Sequence, residues 1–181
     1  PRINYDANGE NGALLLEPQR VNLISKSEYI SSYSSGGGAG LTMTANYGIS
    51  PEGVKNSTRI QYTSGNSYVY SNYATATASG QSFNISIYAK GVAGEQIKLH
   101  ASGSSGISFI KEFTLSGEWQ RFDATGTTGS AGQVLPHILI GYGSSNPATD
   151  FEVYGWQCEA GSYSTSYIPN HGTSGGVTRA A

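Results

Sequence analysis

A single cysteine, Cys158, stands among 181 residues. An intramolecular disulfide and a thiolate metal cluster are therefore excluded, and stability has to come from packing. Charge is scarce as well: Asp, Glu, Lys and Arg make up 12% of the sequence, and the net charge is −2. Without a basic stripe there is no electrostatic footprint for nucleic acid or for an anionic membrane surface. No apolar run approaches the roughly 20 residues that span a bilayer, so membrane insertion is not expected. Pro1-Arg2-Ile3-Asn4 lacks the basic and apolar regions of a signal peptide, and a chain opening on Pro1 reads as a piece of a longer one. Helical periodicity is missing too, because Gly or Pro interrupts every window that would hold apolar residues at i, i+3, i+4 and i+7.

What is present is 25 glycines, many hydroxyl side chains and 13 tyrosines, the makings of a turn-rich β protein with a polar but weakly charged surface. Period-two segments bounded by Gly, Ser, Asn and Pro recur at 41–47, 54–63, 67–73, 82–90, 95–101, 107–115, 118–125, 134–141 and 150–157. Strands at that spacing imply a sandwich or barrel, and the length suits one core that buries roughly 70% of the unfolded surface. In the clearest strand, Phe83, Ile85, Ile87 and Ala89 share the core face, while Asn84, Ser86, Tyr88 and Lys90 share the other. Phe113 to Phe122 is expected to be a hairpin turning at Ser116-Gly117, with Trp119 capping the core at its end. The segment from Ser31 to Gly40 is expected to be a flexible surface loop. If the strand from Asp150 alternates regularly, Phe151, Val153 and Gly155 face inward and Glu152, Tyr154 and Trp156 face the other way.

Two blocks carry a resemblance. Leu14-Leu15-Leu16-Glu17-Pro18-Gln19-Arg20-Val21-Asn22-Leu23 lies near the start, and Trp156-Gln157-Cys158-Glu159-Ala160-Gly161-Ser162-Tyr163-Ser164-Thr165-Ser166-Tyr167-Ile168-Pro169 closes the chain. With the strand Phe83 to Lys90 and the segment Phe113 to Phe122, they resemble the jelly-roll domains of phage tail-fibre and related virion proteins, which look like carbohydrate-binding modules. The chain departs from that pattern at Trp156 and Cys158, where smaller residues are more usual. The resemblance implies an all-β fold, an antiparallel β-sandwich of jelly-roll type, as one domain over 1–181 with a tail at 160–181 that packs on the sandwich or leaves it. It implies a non-catalytic virion module for host-surface glycan attachment or fibre assembly. A carbohydrate-binding module of a secreted polysaccharide-degrading enzyme and a ligand-free trimer-forming cap are the alternatives. The partners expected are a cell-surface glycan or polysaccharide and either a homotrimer or a neighbouring fibre protein, with no nucleic acid. The location expected is the virion, or otherwise outside the cell.

Sugar recognition needs an aromatic face against the apolar side of a pyranose and polar groups for its hydroxyls. Tyr68, Tyr70 and Tyr73, flanked by Asn66 and Asn72, have the right chemistry, as do Tyr88, Tyr154 and Trp156 on faces expected to point outward. Cross-strand packing or contact between chains would account for the same tyrosines. Glu17, Gln19, Arg20 and Asn22 are expected to form a structural latch, an Arg fork beside a carboxylate being a common way to hold a loop. Hydrolysis would need two carboxylates across a cleft; Asp150 with Glu152 or Glu17 with Glu159 are the nominees, and neither has a distinguishing context. His100, His137 and His171 are scattered in sequence and form no triad pattern, with His100 expected on an exposed strand face. No cofactor is expected, although the resemblance to jelly-roll domains allows a structural calcium, with Glu17, Asp150 and Glu159 as its candidate ligands.

Overall fold

The computed structural model describes residues 2–4, 13–15, 17–37 and 40–179. Strands β1 (Arg2–Asn4) and β2 (Ala13–Leu15) pair as a short ribbon, and β3 (Arg20–Asn22) pairs with the last strand, β15 (Val177–Arg179). The sandwich is made by two antiparallel sheets. The first runs β11 (Phe109–Thr114), β10 (Gln96–Ser102), β13 (Gly132–Ile140), β7 (Ser67–Tyr70) and β4 (Ser34–Gly37), with β8 (Ala74–Ala76) on the start of β13. The second runs β12 (Gln120–Thr127), β9 (Ser82–Gly91), β14 (Asp150–Ala160), β6 (Thr58–Tyr62) and β5 (Leu41–Thr44). One 3-10 turn at Ile30–Ser32 is the sole helical element among the described residues. The all-β jelly roll expected from period-two patterning is what forms. Pro136 sits where β13 exchanges β7 for β8 as its neighbour, a break at which a missing N–H leaves no gap in a ladder.

The core lies between the sheets. Phe83, Ile85, Ile87 and Ala89 of β9 are buried in it, facing Val69, Leu99 and Ile138 of the first sheet. Asn84 and Ser86, on the other face of β9, are also fully buried. The cover there is the segment after β14. Arg121 donates to the Thr165 carbonyl at 2.6 Å, Glu159 accepts from the Thr165 amide at 3.0 Å, and Gln157 accepts from the Ile168 amide at 2.7 Å.

Three local expectations are corrected. Phe113 to Phe122 is not a hairpin: β11 and β12 belong to opposite sheets, so the turn between them is an arch across the sandwich. Leu115 bonds to Glu95 and Gly94, and Ser116 to Gly91, rather than to each other's strand. Phe113 and Phe122 still meet, ring centroids 5.0 Å apart, because they close the same edge of the core. Ser34–Gly37, inside the expected loop, is an edge strand paired with β7; its glycines serve packing, since Tyr68 lies against Gly36 where a Cβ would come within 2.7 Å of the phenol oxygen.

The third correction concerns β14. Pairing with β9 is regular from Phe151 to Tyr154, shifts, and resumes at Gln157 opposite Ser86. Gly155 and Trp156 together oppose the one residue Ile87, a β-bulge. Gly155 has φ 63°, a conformation open to glycine at little cost. One inserted residue reverses the facing of everything after it, so Trp156 and Cys158 join Phe151 and Val153 in the core, both fully buried.

Candidate functional site

The outward face of the first sheet collects the most recognition-like chemistry. Strand register places one side chain per strand in a row: Ser34, Tyr70, His137, His100 and Ile110. A second row holds Gly36, Tyr68, Leu139, Lys98 and Glu112. With neighbouring strands about 4.8 Å apart, each row crosses about 19 Å. Tyr68 and Tyr70 have centroids 5.9 Å apart, and His137 lies 5.8 Å from Tyr68 and 6.1 Å from Tyr70. His100 extends the stripe, 5.0 Å from His137. All four rings are half-buried, so each keeps part of its surface in solvent. At one end Lys98 pairs with Glu112 at 3.2 Å and donates to the Tyr142 carbonyl at 2.7 Å, while Ser144 donates to Glu112 at 2.7 Å. That pair cancels in charge, leaving a neutral aromatic strip with polar ends.

The two imidazoles are neutral at pH 7. Burial first, and the neighbouring His100 second, lower the His137 pKa to about 4 against the opposing effect of the Leu135 backbone; burial lowers His100 as well. Nδ1 of each ring is buried without a hydrogen-bond partner. The depressed pKa has a consequence for stability. Above pH 6.5 the residue is neutral folded and unfolded, and its contribution is fully present. As pH falls from 6.5 towards 4, the unfolded chain takes up a proton that the folded chain refuses. Stability is therefore expected to fall across that window by about 2 kcal/mol, allowing for the partial exposure of the ring. Urea denaturation of wild type and His137→Gln between pH 7 and pH 4 checks this, since the variant should show a shallower decline.

Of the residues nominated from sequence, Tyr68 and Tyr70 come together here. Tyr73 does not: it lies beyond the end of β7, 52% exposed and away from the row. Asn72 is engaged in structure, accepting from the Ser25 amide and the Tyr33 hydroxyl at 3.0 Å each and donating to the Leu23 carbonyl at 2.9 Å. Tyr88 is half-buried against Tyr154, Tyr167 and the Arg121 guanidinium. Tyr154 lies under Tyr167, and Trp156 is inside the core. Neither of those two presents a face to a ligand, because the closing segment and the bulge cover what alternation alone would expose. Sequence order alone does not bring His100 and His137 together as a pair. Period two places both outward, but nothing in the linear order says that β10 and β13 are neighbours.

The latch residues meet the closing segment, with different partners from those expected. Glu17 pairs with Arg179 at 2.8 Å and accepts from the Ser166 amide at 2.7 Å. Arg20 lies instead over the Tyr163 ring, 5.6 Å from its centroid. Gln19 is exposed beside it, lining the same shallow depression as Arg20. Asn22, fully buried, donates to the carbonyls of Trp156 at 3.3 Å and Ile168 at 2.8 Å, and accepts from the amides of Ile24 at 3.1 Å and Cys158 at 3.2 Å.

The nominated calcium ligands do not converge: Glu17 and Glu159 hold Ser166 and Thr165, whereas Asp150 starts β14, at the other end of the strand from Glu159, and is paired with Arg59. Among the described residues no group of three His, Cys, Asp or Glu side chains is placed to hold a metal ion. Arg59 also holds the Asp150 carboxyl below its usual range, which is the wrong direction for a general acid. Burial pushes the Cys158 thiol up to about 12, so it stays protonated and unreactive.

By sequence the chain matches no family model and no curated protein. By structure it is similar to TmCBM61, solved in complex with β-1,4-galactotriose, with TM-score 0.57 and 14% identity over 77% of this chain and 99% of that one. The chain folds as carbohydrate-binding modules do. A family 11 carbohydrate-binding module from Clostridium thermocellum, in complex with a β-1,3-1,4-mixed-linked tetrasaccharide, has TM-score 0.51 and 12% identity over 83% of this chain and all of that one. The enzymatically active domain of bacteriophage CBA120 tailspike protein 4 has TM-score 0.53 and 9% identity; the match covers 76% of this chain and 21% of the tailspike chain.

Proposed function

We propose that this chain recognises a glycan without transforming it, along the strip formed by Tyr68, Tyr70, His137 and His100. The observation that carries the reading is the continuity of four solvent-reaching rings across adjacent strands, with charge cancelled at the end of the strip. Such a surface stacks on the apolar faces of successive sugars and offers neutral donors and acceptors to their hydroxyls. The fold supports it, since three of the similar structures hold oligosaccharides. The setting we favour is a virion appendage attaching to a host-surface glycan. A module appended to a polysaccharide-degrading enzyme uses the same face, and the similar structures include both a phage tailspike and a xylanase carrying such a module. Light scattering separates the settings: a trimer supports the fibre, a monomer the appended module.

Affinity electrophoresis against neutral polysaccharides tests the site. Tyr68→Ala and Tyr70→Ala are each expected to weaken retention of the bound polysaccharide about 10- to 100-fold, the cost of removing an aromatic hot spot of about 1.4 to 2.8 kcal/mol. Both variants should keep the wild-type melting temperature to within a few degrees. Unchanged retention in both would remove the strip as the binding surface.

A further inference from the structure

The opposite face of the sandwich carries a recess that the strip does not reach. Its cavity, about 260 Å³, is lined by Tyr47, Lys90, Gly117, Asp150 and Glu152 among others. One exposed aromatic side chain, Tyr47, lines it, and a second, Trp119, lies behind the lining residue Lys90; each is fixed by the protein. Tyr47, in the loop between β5 and β6, is 43% exposed and carries the Arg59 guanidinium 4.6 Å from its ring centroid. Trp119, just before β12, has Lys90 Nζ 5.0 Å from its ring centroid, and its indole N–H donates to the Ile49 carbonyl at 3.0 Å. That bond ties the arch between the sheets to the Tyr47 loop. Gly48 lets the same loop lie against Glu152, where a Cβ would overlap the carboxylate.

The charges around the recess cancel in pairs. Arg59 pairs with Asp150, Lys90 with Glu152 at 3.2 Å, and Ser57 donates to Glu152 at 2.5 Å. Hydrogen-bonding capacity is left over. A carboxylate accepts at about four sites and an ammonium donates three bonds, so Asp150, Glu152 and Lys90 can serve hydroxyls that both give and accept. Such a set has no excess charge to attract an ion, and the exposed Tyr47 ring suits a ring with an apolar face. The volume falls below the roughly 300 to 1,000 Å³ of clefts that take drug-sized ligands, and suits a single ring. We infer that this recess is a second binding site, for a single neutral sugar residue, on the face opposite the aromatic strip and independent of it.

The tryptophans make the test specific. Trp156 is fully buried, Trp119 is in contact with Lys90 of the recess, and the strip contains no tryptophan. Methyl pyranosides of glucose, galactose and mannose, with glucuronate as the charged comparison, are titrated into the protein while acrylamide quenching of tryptophan emission is followed. At least one neutral pyranoside is expected to protect Trp119 with millimolar affinity. Tyr47→Ala and Asp150→Asn, both at the exposed rim, should weaken that protection about tenfold or more while circular dichroism stays unchanged. Tyr68→Ala should leave it intact, so failure of the strip and failure of the recess are read separately. No protection by any neutral pyranoside, protection that survives in both rim variants, or tighter binding of glucuronate than of every neutral sugar would each overturn the assignment.

Discussion

Trp156→Ala is expected to destabilise the fold by about 3 to 5 kcal/mol, a large share of the 5 to 15 kcal/mol that holds a typical domain together. The ring fills the core beside Cys158 and meets Tyr33 edge-on, with centroids 5.7 Å apart. No neighbour can move into the space easily, because the backbone on either side is held: the Trp156 amide bonds to the Ser27 carbonyl and the Cys158 carbonyl accepts from Leu23, both at 2.9 Å. Guanidinium denaturation measures the loss. Polysaccharide retention under folding conditions should stay at the wild-type level, since the ring lies inside the core and the strip on the outer face of the first sheet. Trp156→Phe should recover most of the stability. It refills much of the volume and also removes the indole N–H, which is buried without a partner. A Trp156→Ala protein of wild-type stability would show that the bulge does not turn the ring inward.

Asn22→Ala should cost a comparable amount, about 3 to 5 kcal/mol, for a different reason. Its amide group makes four bonds to backbone on both sides of the bulge, to β3's own continuation and to the closing segment. Removal leaves two carbonyls and two amides in a dry interior, each costing about 1 to 3 kcal/mol if unsatisfied, less where water enters. Asn22→Asp separates shape from hydrogen bonding. The carboxylate can still accept from Ile24 and Cys158 but cannot donate to Trp156 and Ile168, so thermal unfolding should show little rescue. Recovery to wild type in Asn22→Asp would mean that the donated bonds contribute nothing.

These two residues mark where legibility in the sequence ends. Asn22 belongs to the opening block and Trp156 to the closing block, and both blocks stand out in the linear order. Their direct contact does not, because 134 residues separate them. Proximity in sequence pairs the acid of the opening block with Arg20, yet Glu17 finds Arg179, brought beside it by the pairing of β3 with β15. The aromatic strip was half legible. Tyr68 and Tyr70 alternate on one strand and so had to share a face. His100 and His137 sit at outward positions of their own strands, but their contact depends on the order of strands in the sheet, which no local pattern encodes.

The sequence by itself determined the class of fold, the single core and the facing of its regular strands. Phe83, Ile85, Ile87 and Ala89 are inward because side chains alternate along any extended chain, a geometry each strand carries alone. A lone cysteine likewise excluded a disulfide within these 181 residues. Only the tertiary structure decided what depends on a second segment: that Gly155 starts a bulge which reverses Trp156, that β11 and β12 part into different sheets, and that the closing segment buries Asn84 and Ser86. The physical reason is common to all three. Alternation fixes which way a residue points relative to its neighbours in the chain, whereas burial depends on what is laid against it, and here that comes from segments distant in sequence.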